Sequence, residues 1–344
     1  MNTFFVKSIP LKDVIRDLAN EMQTNFSENC NLYTLEIPNR LGFGYIEGID
    51  FENGFGMLNY HCNFREPTTF SFTFDQVHPL KFMHCYGGSF IHRFEEERSS
   101  HQVRHYENII VGSQHNNGHI LEFEADQPIR ISSVELDRPN FIDKIICHVN
   151  LETEEKEIMN AIQDIDATTH FYHKGKYSIH ISDIILNILG TRKSPLLKTL
   201  LYEGESYKML VNHIQQYYSD VYSKGEYVPR QAEVEQVRAI AEFISENLSN
   251  SITVESLEKK FGINGKKLQM LFRMLYNNSV NQFIQKRRLE KALQLMKESD
   301  FNMSEIANAI GLSSKSYFSK IFKEKYGISP SHYHKNIQKQ NIFH

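Results

Sequence analysis

A helix-turn-helix pattern written twice in the last hundred or so residues limits this chain's architecture more than any other feature. The first copy reads Val254-Glu255-Ser256-Leu257, Phe261-Gly262-Ile263-Asn264, Leu268 and Phe272-Arg273; the second reads Met303-Ser304-Glu305-Ile306, Ile310-Gly311-Leu312-Ser313, Phe318 and Phe322-Lys323. The offset is 49 residues through the turn and 50 in the helix that follows. Two copies that share apolar anchors, a turn glycine and a polar cap, and little else, are one supersecondary unit used twice. Two such units on one rigid piece can enter successive major grooves, so double-stranded DNA is the expected partner.

Charge supports that partner only when the chain is divided. The net charge over 344 residues is −4. Residues 1–228 hold 20 Lys and Arg against 31 Asp and Glu, whereas residues 229–344 hold 18 against 11. The basic third is therefore the third that carries the repeat, as phosphate binding requires. Of the 16 histidines, 13 precede residue 229. No run of 18 apolar residues occurs, and Met1-Asn2-Thr3-Phe4-Phe5-Val6-Lys7 lacks the basic flank and apolar core of an export signal. Cys30, Cys62, Cys85 and Cys147 show no Cys-x-x-Cys spacing and read as reduced thiols, so a cytoplasmic protein without a membrane partner is expected.

From Leu32 to Asp137 short apolar and aromatic runs alternate with polar residues between Gly, Asn and Pro breaks, among them Leu32 to Ile37, Gly56 to His61, Leu80 to Tyr86 and Ile129 to Val134. Such recurrence predicts a β-barrel or sandwich. After Pro139 the period becomes helical: Phe141, Ile145, Ile146 and Val149; Ile158, Ile162 and Ile165; Ile184, Ile185, Ile188 and Leu189 before Gly190. Tyr207, Leu210, Val211, Ile214, Tyr217, Tyr218 and Val221 form the clearest stripe. Two readings of it stand: a helix packed on its own barrel, and a dimerisation helix that makes a homodimer.

In the basic third, Val234, Val237, Ala241, Ile244 and Leu248 share the face of a leading helix. Thr253 offers a cap for a helix from Val254 to Phe261, Gly262 the turn, and Asn264 a cap for a recognition helix through Tyr276. With Leu268, Leu271 and Phe272 inward, Lys266, Lys267, Gln269, Met270 and Arg273 are left to face DNA. Ser279 and Gln282 form a capping box that opens a long connecting helix to about Glu298; Asn302 and Glu305 form another. If the connecting helix holds the two recognition helices parallel about 34 Å apart, both dock on one side of the duplex. The second recognition helix starts at Ser313. Tyr317, Phe318, Ile321 and Phe322 turn inward there, which leaves Ser314, Lys315, Ser316, Ser319, Lys320 and Lys323 outside. Arg287 and Arg288, on the connecting helix, are expected in a structural ion pair rather than on a base.

Arg288-Leu289-Glu290-Lys291-Ala292, Ile306-Ala307, Ile310-Gly311-Leu312, Tyr317-Phe318, Phe322-Lys323 and Tyr326-Gly327-Ile328-Ser329-Pro330 together resemble the signature of the AraC family of bacterial transcription regulators. The resemblance covers residues 232–335. It implies a seven-helix, two-module domain that binds promoter DNA and contacts RNA polymerase, attached to a domain that senses a small molecule or dimerises. Asn277 stands where the family has Gly, and Met270 where a basic residue is common. Ile263-Asn264-Gly265-Lys266-Lys267-Leu268 with Phe272-Arg273 is similar to the branch that regulates siderophore and iron uptake.

The fold class expected is α+β: a cupin-like N-terminal β-barrel with helices, then an all-α domain with two helix-turn-helix modules. Residues 1–138 would form the β-rich sensor, 139–224 a helical segment, 225–231 a linker, 232–335 the DNA-binding domain and 336–344 a tail. Tyr60, His61, Phe82, His84 and Tyr86 suit a concave pocket for an effector, a ferric siderophore or an aromatic compound, though such residues also build cores. No cofactor and no metal is expected. His61, His84, His101 and His105 could supply imidazoles, but the compact His-x-His with a following Glu of a metal-binding cupin is missing. No catalytic residue is assigned, and a metal-using enzyme tethered to DNA is the rival reading.

Overall fold

In a computed structural model, residues 1–72, 77–145, 156–189, 194–222, 227–299 and 301–341 are described. They form two compact units, residues 1–228 and 229–344.

The N-terminal unit opens with β1 (Asn2–Val6), α1 (Leu11–Glu21), β2 (Phe26–Asn29), β3 (Leu32–Glu36), β4 (Gly42–Asp50), β5 (Phe55–Phe64), β6 (Thr68–Phe72) and β7 (Leu80–Gly87). It continues with β8 (Ser89–Phe94), β9 (His101–Arg104), β10 (Asn108–Gly112), β11 (His119–Phe123), β12 (Ile129–Leu136), α2 (Arg138–Ile145), α3 (Lys156–Gln163), β13 (Phe171–Gly175), α4 (Ile179–Leu189) and α5 (Pro195–Tyr222). The strands form two sheets, ordered β1-β6-β11-β8-β9 and β13-β10-β7-β12-β5-β4-β3-β2. Neither closes on itself, so the expected barrel is an open pair of facing sheets. Pairing is antiparallel except where β1 lies parallel to β6.

Strand alternation decides what each face buries. Leu58, Tyr60 and Cys62 of β5, with Met83 and Cys85 of β7, meet Phe70, Leu121 and Phe90 of the smaller sheet in one core. Tyr60 touches Phe70 and Phe123 across it, with ring centroids 6.1 and 6.3 Å apart. The opposite face of the large sheet, with Met57, Phe82, Ile110 and Val134, packs on Ile158, Ile181, Ile185, Met209 and Tyr217 from the helices. Leu210 and Tyr217 of the amphipathic stripe are buried there, and Tyr207, Ile214, Tyr218 and Val221 pack against the same cluster, so the stripe lies on its own sheet except for Val211, which is exposed. Ile146, Val149, Gly190 and Cys147 fall outside the described residues, as do Gly225 and Glu226 of the expected linker.

The C-terminal unit contains α6 (Gln231–Glu246), α7 (Val254–Phe261), α8 (Gly265–Tyr276), α9 (Val280–Glu298), α10 (Met303–Ala309), α11 (Lys315–Tyr326) and α12 (Pro330–Asn341). Thr253, Ser279 and Asn302 close capping boxes at the starts of α7, α9 and α10. Gly262 and Asn277 end α7 and α8 in the left-handed conformation, φ 66° and 54°. Asn can replace the family's Gly at 277 because its short polar side chain tolerates that region. Val234, Val237, Ala241, Ile244 and Leu248 are all buried, as the leading-helix periodicity predicts. The second module closes over Leu289, Ala292, Met296, Ile306, Phe318 and Phe322. At 1.5 Å per residue, α9 extends about 28 Å between the modules. No helix among the described residues is long and apolar enough to cross a membrane.

Candidate nucleic-acid interface

The two modules are built alike but finished differently at the second helix. In the first, Asn264 accepts the amides of Lys266 and Lys267, and the Glu258 carboxylate accepts the amide of Gly265. A full negative charge therefore sits at the start of α8, where the helix dipole and free amides would otherwise favour a phosphate. In the second, the cap is neutral: the Ser314 hydroxyl accepts the amide of Tyr317 at 3.2 Å. The helix after that turn thus starts at Lys315 with Ser314 as its cap, two residues later than the expected Ser313.

Of the expected contact residues in α8, Lys266 and Arg273 are exposed, and Lys267, Gln269 and Met270 are half-buried. Lys267 is paired with Glu233 of α6. The Gln269 side-chain oxygen accepts the Val280 amide at 3.2 Å, so one end of that amide is occupied in fastening α9. An open cleft of about 800 Å³ runs along this helix, with Glu255 and Glu258 on one wall and Lys266, Met270 and Arg273 on the other. In the second module Ser314, Lys315, Ser316, Lys320 and Lys323 are exposed and Ser319 is half-buried.

Tyr317 departs from expectation. Phe318, Ile321 and Phe322 are buried, but Tyr317 is 49% exposed. One position before Phe318 its side chain lies about 100° round the helix, outside the apolar stripe. Sequence periodicity alone placed it too far inward, and it joins the outward face.

The connecting helix also differs from expectation. Arg287 makes the anticipated ion pair, with Glu290 at 3.1 Å. Arg288 instead donates from Nε to the Leu248 carbonyl at 3.3 Å and from Nη2 to the Asn250 carbonyl at 2.9 Å. Partial burial lowers its pKa from the ordinary arginine value, a shift that Tyr317 opposes.

In the N-terminal unit the five residues expected to line one pocket lie on two faces of the large sheet. Tyr60 points between the sheets, whereas Phe82 and Tyr86 lie on the helix-covered side. His84 is fully buried and its Nε2 bonds the Ser182 hydroxyl at 2.8 Å. His61 bonds the Tyr86 hydroxyl and stacks on Tyr45, centroids 5.0 Å apart and ring planes nearly parallel. Neighbours in a strand point to opposite faces, so Tyr60 and His61 cannot share a cavity. Burial, helped by Arg130, pushes the His61 pKa down to about 4. The other histidines of a metal reading lie in separate contacts: His101 stacks on Tyr172 and His105 on Tyr106. Among the described residues no three His, Cys, Asp or Glu side chains are placed to hold a metal ion.

A basic, all-helical unit with two helix-turn-helix modules defines the class of a DNA-binding head. Residues 257–336 match a family model described as a helix-turn-helix domain. Over 182 residues the chain is 29% identical to the Msm operon regulatory protein of Streptococcus mutans, covering 52% of this chain and 64% of that one. It is 38% identical over 81 residues to the HTH-type transcriptional regulator AlkR of Acinetobacter baylyi, covering 24% and 26%. The C-terminal domain of AraT, a response regulator from Geobacillus stearothermophilus, aligns at 27% identity with a TM-score of 0.29, over 29% of this chain and 84% of that domain. The chain spans less than two-thirds of the length of these two curated relatives. The C-terminal unit is similar to AraC-type helix-turn-helix domains, the matched family model covering residues 257–336.

Proposed function

We propose that this chain is a transcription regulator that grips promoter DNA through both modules of its C-terminal unit. One observation carries the reading: in each of two repeated modules the helix after the turn presents basic side chains to solvent, Lys266 and Arg273 in α8 and Lys315, Lys320 and Lys323 in α11, while its apolar side is buried. Lys266, Lys267, Gln269, Met270 and Arg273 form the first reading face and Ser314, Lys315, Ser316, Ser319, Lys320 and Lys323 the second, with Tyr317 added. The two faces divide the work unequally. The acid at the start of α8 and the Lys267–Glu233 pair leave the first module fewer charges for phosphate, so the second supplies more of the salt-dependent grip.

The N-terminal unit would supply the response. Of the expected pocket residues His61 is half-buried; it lies between the half-buried Tyr45 and the buried Tyr86, and this ring group favours an aromatic effector, free or as part of a ferric siderophore. Effector binding would shift the population able to hold the operator and to contact RNA polymerase, with or without a second copy of the chain.

The test is enrichment of the full chain's preferred sites from a randomised duplex pool, followed by titration of the best duplex at several salt concentrations. Sequence-selective binding with a steep salt dependence is expected. Equal affinity for the enriched and the starting pool would defeat the proposal.

A further inference from the structure

The two modules of the C-terminal unit converge on one carbonyl group. The Leu248 oxygen, just after α6, accepts from Arg288 Nε, and Arg288 Nη2 reaches the Asn250 oxygen two residues on. Gly311, the turn glycine of the second module, rests on the same atom: a Cβ there would lie 2.3 Å from the Leu248 oxygen and 2.8 Å from Arg288 Nη2. Gly262, its counterpart in the first module, has a similar left-handed φ, 66° against 74°, yet nothing lies within 4 Å of the Cβ it lacks. Equivalent glycines of the repeat are therefore under different demands. One needs only the backbone conformation; the other needs the conformation and the close approach.

We infer that Arg288 is a positioning residue: with Gly311 it clamps the second module onto the Leu248–Asn250 turn of the first, and so sets the spacing of half-sites that the DNA-binding head accepts.

The inference rests on the DNA-binding reading above. A helix such as α9 fixes the distance between two modules, but a body held along one helix keeps freedom to tilt. A second contact away from the helix axis removes that freedom. Arginine suits the post because its planar fork addresses two carbonyl oxygens at once, whereas a lysine ammonium offers a single charged point. Spacing matters on DNA because the groove turns with the helix, and at about 10 base pairs per turn a shift of three base pairs rotates a half-site by roughly 100°.

The test uses the full chain as wild type, Arg288→Ala, Arg288→Lys, Gly311→Asn and Gly262→Asn. Asn tolerates the left-handed backbone, so at both glycines it tests the contact more than the turn. The probe is the tightest duplex enriched by the wild type, with its two half-sites mapped by footprinting, and the same duplex with three base pairs inserted between them. Wild type and Gly262→Asn are expected to lose roughly tenfold or more in affinity on respacing, about the cost of one or two wrong base pairs. Arg288→Ala and Gly311→Asn should lose roughly threefold or less relative to their own native-spacing affinity, and Arg288→Lys should fall between. A respacing penalty equal to wild type in both Arg288→Ala and Gly311→Asn overturns the clamp and leaves the DNA reading standing. If Arg288→Ala does not fold, Gly311→Asn decides alone. A wild-type chain that enriches no duplex overturns the DNA reading, and the clamp with it.

Discussion

Lys81 and Glu135 pair at 2.7 Å on adjacent strands of the large sheet, their side chains 6% and 5% exposed. Ser133 donates a further hydrogen bond to the same carboxylate at 3.2 Å, and the Lys81 ammonium lies 5.0 Å from the Phe72 ring centroid of the facing sheet. An ion pair so placed forfeits most of its hydration, and its value depends on both partners being present. Lys81→Met should cost about 3–5 kcal/mol because it leaves an uncompensated buried carboxylate. Lys81→Met/Glu135→Leu should recover most of that loss. Urea unfolding of the full chain, followed through the transition of the N-terminal unit, measures both; a double variant no more stable than the single one would contradict this account.

Acid should unfold the N-terminal unit first. Burial holds His78, His92 and His213 down to about 3, and His84 and His119 also well below the ordinary histidine range. As pH falls below about 6.5 the unfolded chain takes up protons that the folded unit refuses, so stability present above that pH is lost on the way down towards 3. Each such histidine removes about 1.4 kcal/mol per pH unit within that window. The C-terminal unit has no fully buried imidazole among its described residues. Circular dichroism melts between pH 7.5 and pH 5 should show the N-terminal transition moving down while the helical one stays near its place. Two transitions that shift together would speak against it.

Lys320→Ala should weaken duplex binding and reduce the slope of log affinity against log salt by about 1, the signature of one lost phosphate contact. Lys267→Ala should change the slope by clearly less, because its ammonium is already paired with Glu233. Anisotropy titrations at four or five salt concentrations separate the two. Equal slope changes would mean that Lys267 leaves Glu233 on binding.

Gly204 lies inside α5 with no atom within 4 Å of an added Cβ. Gly204→Ala should raise stability by about 0.4–1 kcal/mol through the lower entropy of the unfolded chain. A loss instead would mean that another surface needs the space above that glycine.

The helical third was readable from sequence because its signals are local. Caps lie within three residues of the amides they serve, and Thr253, Asn264, Ser279 and Asn302 all occupy the predicted starts. Arg288 was misplaced because its setting depends on elements far along the chain, whereas Tyr317 was misplaced because it borders the apolar stripe one position before Phe318. In Arg288's case the partner carbonyls are 38 and 40 residues away. In the N-terminal unit alternation revealed strands but not which face was which: Tyr60 and His61 look alike as aromatic neighbours and end on opposite sides of the sheet. The parallel pairing of β1 with β6, which joins residues 66 positions apart, leaves no trace in local pattern. Nor were α1 and the short β13 anticipated, although Leu11, Val14, Ile15 and Leu18 carry the helical spacing.

An open pair of sheets, unlike a closed barrel, leaves strand margins with unsatisfied amides that can recruit another chain into a fibril. Here two of those margins are β2, Phe-Ser-Glu-Asn, and β9, His-Gln-Val-Arg, each four residues long and each carrying a charge. Brevity and charge are the usual safeguards against edge-to-edge aggregation. Lengthening or neutralising either margin, as by Glu28→Val or Arg104→Val, would trade colloidal solubility for stickiness while leaving the interior untouched.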